Sequence, residues 1–206
     1  MENKKSTETQ ILEAAKRVFV QKGYDGARMQ EIADEAKINK SMLHYYFRSK
    51  EVLFNKIIDD TVDVLIPRFI EALSGDDGVM VKVERLVERQ IDGIMENPHM
   101  PMFMLNELAQ NRMHVSHKMK ARFAEKNTFT KFIKEIKQEQ NDGIIKQVAP
   151  EHFILTLMSL IMFPFIARPI FQNMLEIPDE MYRQMIVDRK RIIVDIIKKS
   201  FLLKPE

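Results

Sequence analysis

Apolar residues recur at helical spacing along almost the whole chain. Ile11, Ala14, Ala15, Val18 and Phe19 share one face, behind Thr7 and Gln10, whose spacing of three fits a capping box. Gly23 follows and suits a left-handed helix end. Met29, Ile32, Ala33 and Ala36 mark a short helix. Asn39 can cap a second short helix through Phe47, and Ser49 a long one from Lys50 to about Leu73. Pro67 should kink that long helix or restart it. Ser74 to Gly78 reads as a loop, and helical pattern resumes over 79–96. The run Asn97-Pro98-His99-Met100-Pro101 is a break, followed by helices over 102–112 and 116–140, the latter ended by Asn141-Asp142-Gly143. Pro150 opens an apolar helix that Pro164 and Pro169 should bend. After the turn Ile177-Pro178-Asp179, Asp179 can cap a final helix to Leu203. The pattern predicts an all-α fold of about nine helices, without strands or internal repeats.

Composition narrows this. The chain has 206 residues, enough for one large domain or two small ones. Apolar residues at 45% and charged residues at 30% exclude disorder as the main state. The absence of cysteine excludes disulfides, thiol nucleophiles, zinc fingers and iron–sulfur ligation. Six glycines are few for a Rossmann fold or a β-sandwich. The most apolar stretch, Phe153 to Ala167, contains Thr156, Ser159 and Pro164, and it falls short of the roughly 20 residues a membrane helix needs. It reads as a helix buried in protein or at a subunit interface. The amino terminus has no apolar signal-peptide core, so a cytoplasmic location and no membrane partner are expected. The net charge of +2 sets up no global basic field. Residues 1–50 hold ten Lys/Arg and seven Asp/Glu, a net +3, against −1 for the remainder.

That small excess matters because of where it falls. Met29 to Phe47 has the layout of a helix-turn-helix, two short helices around a tight turn. Ala33 sits at the crossing, and Ile38 and Leu43 point inward. The outward residues of the second helix are Lys40, Ser41, His44, Tyr45 and Arg48. All can donate hydrogen bonds, His44 in a suitable tautomer or protonation state, and none is acidic, as a groove lined with acceptors and phosphates requires. A plain solvated face is the competing explanation.

The stretches TQILEAAKRVFVQKGYDGARMQEIADEA (Thr9–Ala36) and INKSMLHYYFRSKEVLF (Ile38–Phe54) resemble the DNA-binding domain of the TetR family of bacterial transcriptional repressors. The likeness covers about the first quarter of the chain. It implies a three-helix DNA-binding domain over 1–50 and a helical ligand-binding and dimerisation domain over 51–206. It also implies roles by position. Gln30, Lys40, Ser41 and Tyr45 would face base edges, while Arg28, His44, Tyr46 and Lys50 would hold the DNA backbone. Tyr46 has a second reading as packing against the first helix, and Gln30 as a solvated side chain. Three departures stand out. Ala27 and Arg28 replace the usual small hydroxyl residues, Lys37 replaces a frequent turn glycine, and His44 replaces a common tyrosine.

The resemblance further implies a homodimer through residues 150–203, a palindromic double-stranded DNA operator, and release by an unknown small-molecule effector. The final helix has apolar surface to spare, with Met181, Met185, Ile186, Ile192, Ile193, Ile196 and Ile197. Met102, Phe103, Met158, Met162 and Phe163 are candidate pocket residues, each with ordinary core packing as the alternative. Asn106, Glu107 and Arg168 are the polar candidates, Arg168 either for an anionic ligand or for an acidic neighbour. His114 and His117 have a metal-compatible spacing near Glu107 but no third ligand, so no metal and no cofactor are expected. No GxSxG or phosphate loop appears, and the chain does not read as an enzyme. The alternative to a ligand-responsive repressor is a helical ligand- or protein-binding dimer that has lost DNA binding.

Overall fold

A computed structural model of the chain describes the backbone of residues 2–98, 100–109, 120–124 and 127–203, and the side chains of these residues except 2–5 and 106–109. The described residues fall into two compact units. One takes the chain through Val64 together with the segment from Met102 on; the other takes Leu65–Pro101 and the chain from Lys120 on.

The first unit begins with α1 (Glu2–Gly26), interrupted at Gly23, where φ is 67° and ψ 175°. That combination is open essentially to glycine alone, so the helix proper stops there. It is an extended left-handed conformation rather than the helical left-handed cap that was expected. Thr7 lies inside α1 and does not cap it, because the helix formers Glu2, Lys4 and Lys5 carry the helix further back. Gln10 instead donates through Nε2 to the Ala36 carbonyl at 2.8 Å. Then come α2 (Met29–Glu35), α3 (Lys40–Tyr46) and α4 (Lys50–Ala72). Ile11, Ala14, Ala15 and Phe19 of α1 are buried, as are Ile32 and Ala33 of α2, Leu43 of α3, and Leu53, Phe54 and Ile57 of α4. Phe103 of α6 (Met100–Ala109) is also buried, its ring centroid 5.7 Å from that of Phe54.

The second unit is built on α5 (Val79–Glu96), whose Val79, Val83, Leu86, Val87 and Ile91 form one buried stripe. Against it pack α7 (Thr128–Asn141), α8 (Pro150–Ile166) and α10 (Asp179–Phe201). The helix expected over 116–140 is broken at Asn127, which has φ 48°. Asparagine is among the few side chains that tolerate this conformation. Its residues 116–119, with His114 and His117, lie outside the described residues. Gly143 (φ 70°) follows α7, and Pro150 occupies the first turn of α8 as expected.

The prolines behave unequally. Pro67 and Pro164 both lie inside helices, α4 and α8. The bend comes at Ala167, where α8 meets α9 (Arg168–Leu175) at 59°. A proline deprives the carbonyl four residues earlier of its helical donor. For Pro164 that carbonyl is Leu160, and Arg189 Nη2 of α10 donates to it at 3.2 Å. The Pro164 carbonyl itself accepts from the Tyr182 hydroxyl at 2.7 Å. Burial, the dominant influence, pushes the Tyr182 hydroxyl above its ordinary pKa. Among the described residues no single helix is long and apolar enough to cross a membrane.

Candidate nucleic-acid interface

The reading head is set by its caps and its turn. Arg28 stands at the N-cap of α2 with an extended backbone. Its side chain has no acceptor to offer, but its N–H donates to Glu31 Oε2 at 3.3 Å. Only the returning half of a capping box is therefore present. Lys22 reaches Glu31 at 2.9 Å, and this bond, aided by the one from Arg28, holds the Glu31 carboxyl below its usual range. Arg17 pairs with Glu35 at 2.7 Å, so two of the carboxylates of α2 are tied to cations of α1. The turn passes through Lys37 at φ 53°, so the residue that stands in place of a frequent turn glycine takes the left-handed conformation. Asn39 Oδ1 accepts from the Met42 N–H at 2.7 Å and starts α3. Ser49 Oγ does the same for Val52 at 3.2 Å and starts α4.

With Leu43 buried, α3 turns Lys40, Ser41, His44 and Tyr45 outward, and Tyr45 is 70% exposed. Arg48 is exposed just beyond, its carbonyl 3.3 Å from His44 Nδ1. Tyr46 is half-buried and meets Tyr45 edge to face at 5.4 Å. Arg28 and Gln30 are exposed on α2. Gln30 Nε2 donates to Asp34 Oδ1 at 2.8 Å, a partner that the i, i+4 spacing could have signalled. Lys50, expected on a phosphate, points inward to the carbonyls of Tyr24 at 2.8 Å, Ala27 at 3.0 Å and Asp25 at 3.4 Å.

Residues 11–57 match the bacterial regulatory proteins of the tetR family, and residues 80–197 match the tetracyclin repressor-like C-terminal domain. The chain belongs to the TetR family. It is 25% identical over 167 residues to the probable HTH-type transcriptional regulator YttP of Bacillus subtilis, covering 79% of each protein. The structure of HlyIIR, a hemolysin II transcriptional regulator, is similar with a TM-score of 0.66 at 24% identity, over 97% of this chain and 99% of that one. AibR, solved in complex with isovaleryl coenzyme A and operator DNA, has a TM-score of 0.60 at 19% identity, over 77% and 85% of the two chains. These last two likenesses speak to the fold.

In this TetR-family chain the expected pocket residues fall in both units. Met102 is exposed and Phe103 buried in the first unit. Asn106 and Glu107 lie on α6, and their side chains are outside the described residues. In the second unit Met158 and Met162 pack half-buried against the core, while Phe163 is exposed. Arg168 has found an acidic neighbour. It donates to Asp179 at 3.0 Å and to Gln172 at 2.9 Å. Gln172 first, then Arg168, hold the Asp179 carboxyl below its usual range. A shallow cleft of about 320 Å³ lies between α4 and α5, lined by Arg68, Glu71, Arg89, Asp92, Gly93 and Glu96. Its charges pair across it, Arg68 with Glu96 at 3.0 Å and Arg89 with Glu71 at 2.6 Å, and none of the expected pocket residues lines it. Gly93 makes room for Arg68, since a Cβ there would lie 2.9 Å from the guanidinium.

Proposed function

We propose that this chain is a ligand-responsive repressor that binds a palindromic operator as a homodimer and leaves it when a small molecule binds the helical domain that follows residue 50. The observation that carries the DNA-binding half is the outward face of α3, where Lys40, Ser41, His44 and Tyr45 stand exposed without an acidic residue among them. In this reading Gln30, Lys40, Ser41 and Tyr45 meet base edges, and Arg28, His44, Tyr46 and Lys50 hold the backbone. The dimer is supported by an apolar face left open on the last three helices, where Leu155, Ile170, Met174, Met181, Ile192 and Ile196 are all exposed. The relatives' standing as named regulators supports the regulatory role over an enzymatic one.

Lys40 opens α3, where a side chain can reach guanine O6 and N7. Lys40→Ala is expected to cost about 1–3 kcal/mol per site on DNA selected by the protein from a random pool. On scrambled DNA the loss should be much smaller. Gel shifts on both duplexes decide it, and equal weakening would remove α3 from the major groove.

A further inference from the structure

We propose that His44 holds a DNA phosphate as an imidazolium, so that each subunit takes up a proton when it binds its operator. This deepens the DNA-binding reading above and rests on it.

His44 stands exposed on α3. Its Nδ1 lies 3.3 Å from the Arg48 carbonyl, one turn along. A carbonyl oxygen only accepts, so the bond requires the proton on Nδ1. In the neutral ring the other nitrogen, Nε2, then carries a lone pair and no hydrogen. A phosphate oxygen also only accepts. The neutral ring can therefore serve the carbonyl or the phosphate, and only the charged ring serves both. An imidazole changes charge between about pH 5 and pH 8, where a small bias decides its state. Here the bias comes with the DNA, which brings both a negative charge and an acceptor for the second N–H.

The charged groups around the ring are mostly cations or already engaged. Lys40 stands one turn earlier on α3 and Arg48 just past it, with Tyr45 and Tyr46 alongside. Lys37 is in the turn before α3. On α2, Glu31 and Glu35 pair with Lys22 and Arg17 of α1, and Asp34 accepts from Gln30. At the start of α4, Lys50 is turned to backbone carbonyls and Glu51 is exposed. The bound ring thus keeps its proton to higher pH than the free one. The extra affinity is complete in acid and is lost as pH rises through the titration of the bound ring.

The test uses a duplex that the protein selects from a random pool. Operator affinity is measured from about pH 6 to about pH 8, and calorimetry in two buffers of different ionisation enthalpy counts the protons. Affinity should fall by about fivefold per subunit over that range, the difference between a charged and a neutral hydrogen bond. The slope of log K against log salt should be steeper at the acid end by roughly one unit per subunit, because one more cation meets a phosphate. His44→Gln donates without charge, so the proton uptake should vanish and the shallower slope should hold at every pH. His44→Lys keeps its charge and should show the steeper slope throughout. His99, His114, His117 and His152 remain in both variants. A pH dependence that survives in the variants therefore arises elsewhere and overturns the proposal. Imidazole nitrogen NMR of the free protein at about pH 8 should show His44 neutral with its proton on Nδ1. A proton on Nε2 would also overturn it. If no DNA is selected at any pH, the DNA-binding reading fails and this inference with it. Operator binding without proton uptake ends this inference alone.

Discussion

Lys37 occupies a left-handed backbone position at the turn before α3. A side chain there costs roughly 1–2 kcal/mol, and glycine gives back about 0.5–1 kcal/mol in lost entropy. Lys37→Gly should therefore stabilise the chain by roughly 0.5–1 kcal/mol, read from urea unfolding. A variant no more stable than the parent would show that no strain resides there. This position stood out beforehand because the family resemblance places a frequent glycine there. The spacing of Thr7 and Gln10 was not a reliable guide, since a capping-box pattern cannot tell a helix start from a helix interior. Lys50 shows what local pattern leaves out. A lysine at a helix start announces a cation beside free amides, while the carbonyls its ammonium meets in the structure lie more than 20 residues back in the chain.

Helix limits were readable wherever the signal was local. Asn39, Ser49, Pro150 and Gly143 all sit where their chemistry placed them. The continuity of α8 through Pro164 was not readable, because the groups that satisfy its carbonyls come from Tyr182 and Arg189 on another helix. The join of α5 to α7 was hidden for the same reason. Lys82 of α5 is fully buried and meets Glu135 of α7 at 2.6 Å. Removing one partner of a buried pair leaves the other charge stranded, at a cost of about 3–5 kcal/mol, whereas an apolar replacement of similar shape can be nearly neutral. Glu135 keeps some exposure, so Glu135→Gln should fall at or below the lower end of that range. Lys82→Met should cost less. Thermal or urea unfolding of both variants checks the order, and the reverse order would mean that the Lys82 ammonium supports the fold through more than its pairing with Glu135.

The assembly is where residues far apart in sequence have to act as one surface. Two reading heads can meet successive major grooves only if the subunits pair at a fixed spacing. The exposed apolar residues of α8, α9 and α10 were foreseeable as surplus to a monomer core, though which would stay open required the packing of α5 and α8 against α10. Ile192 is 43% exposed on α10. Ile192→Glu should shift the mass seen by light scattering from a dimer toward the 24.3 kDa monomer and lower operator affinity with it. A parent protein that scatters as a monomer at micromolar concentration would refute the proposed pairing. The same face has a redox consequence. The chain holds 15 methionines and no cysteine, so its oxidisable sulfur is all thioether. Met174, Met181 and Met185 stand on the apolar face and Met42 on α3, each open to solvent in the single subunit. Sulfoxidation turns an apolar side chain into a polar, chiral one, reversibly where a reductase is present. Peroxide would therefore reach the proposed pairing face of separated subunits and the proposed reading face together, and a methionine sulfoxide reductase would restore both.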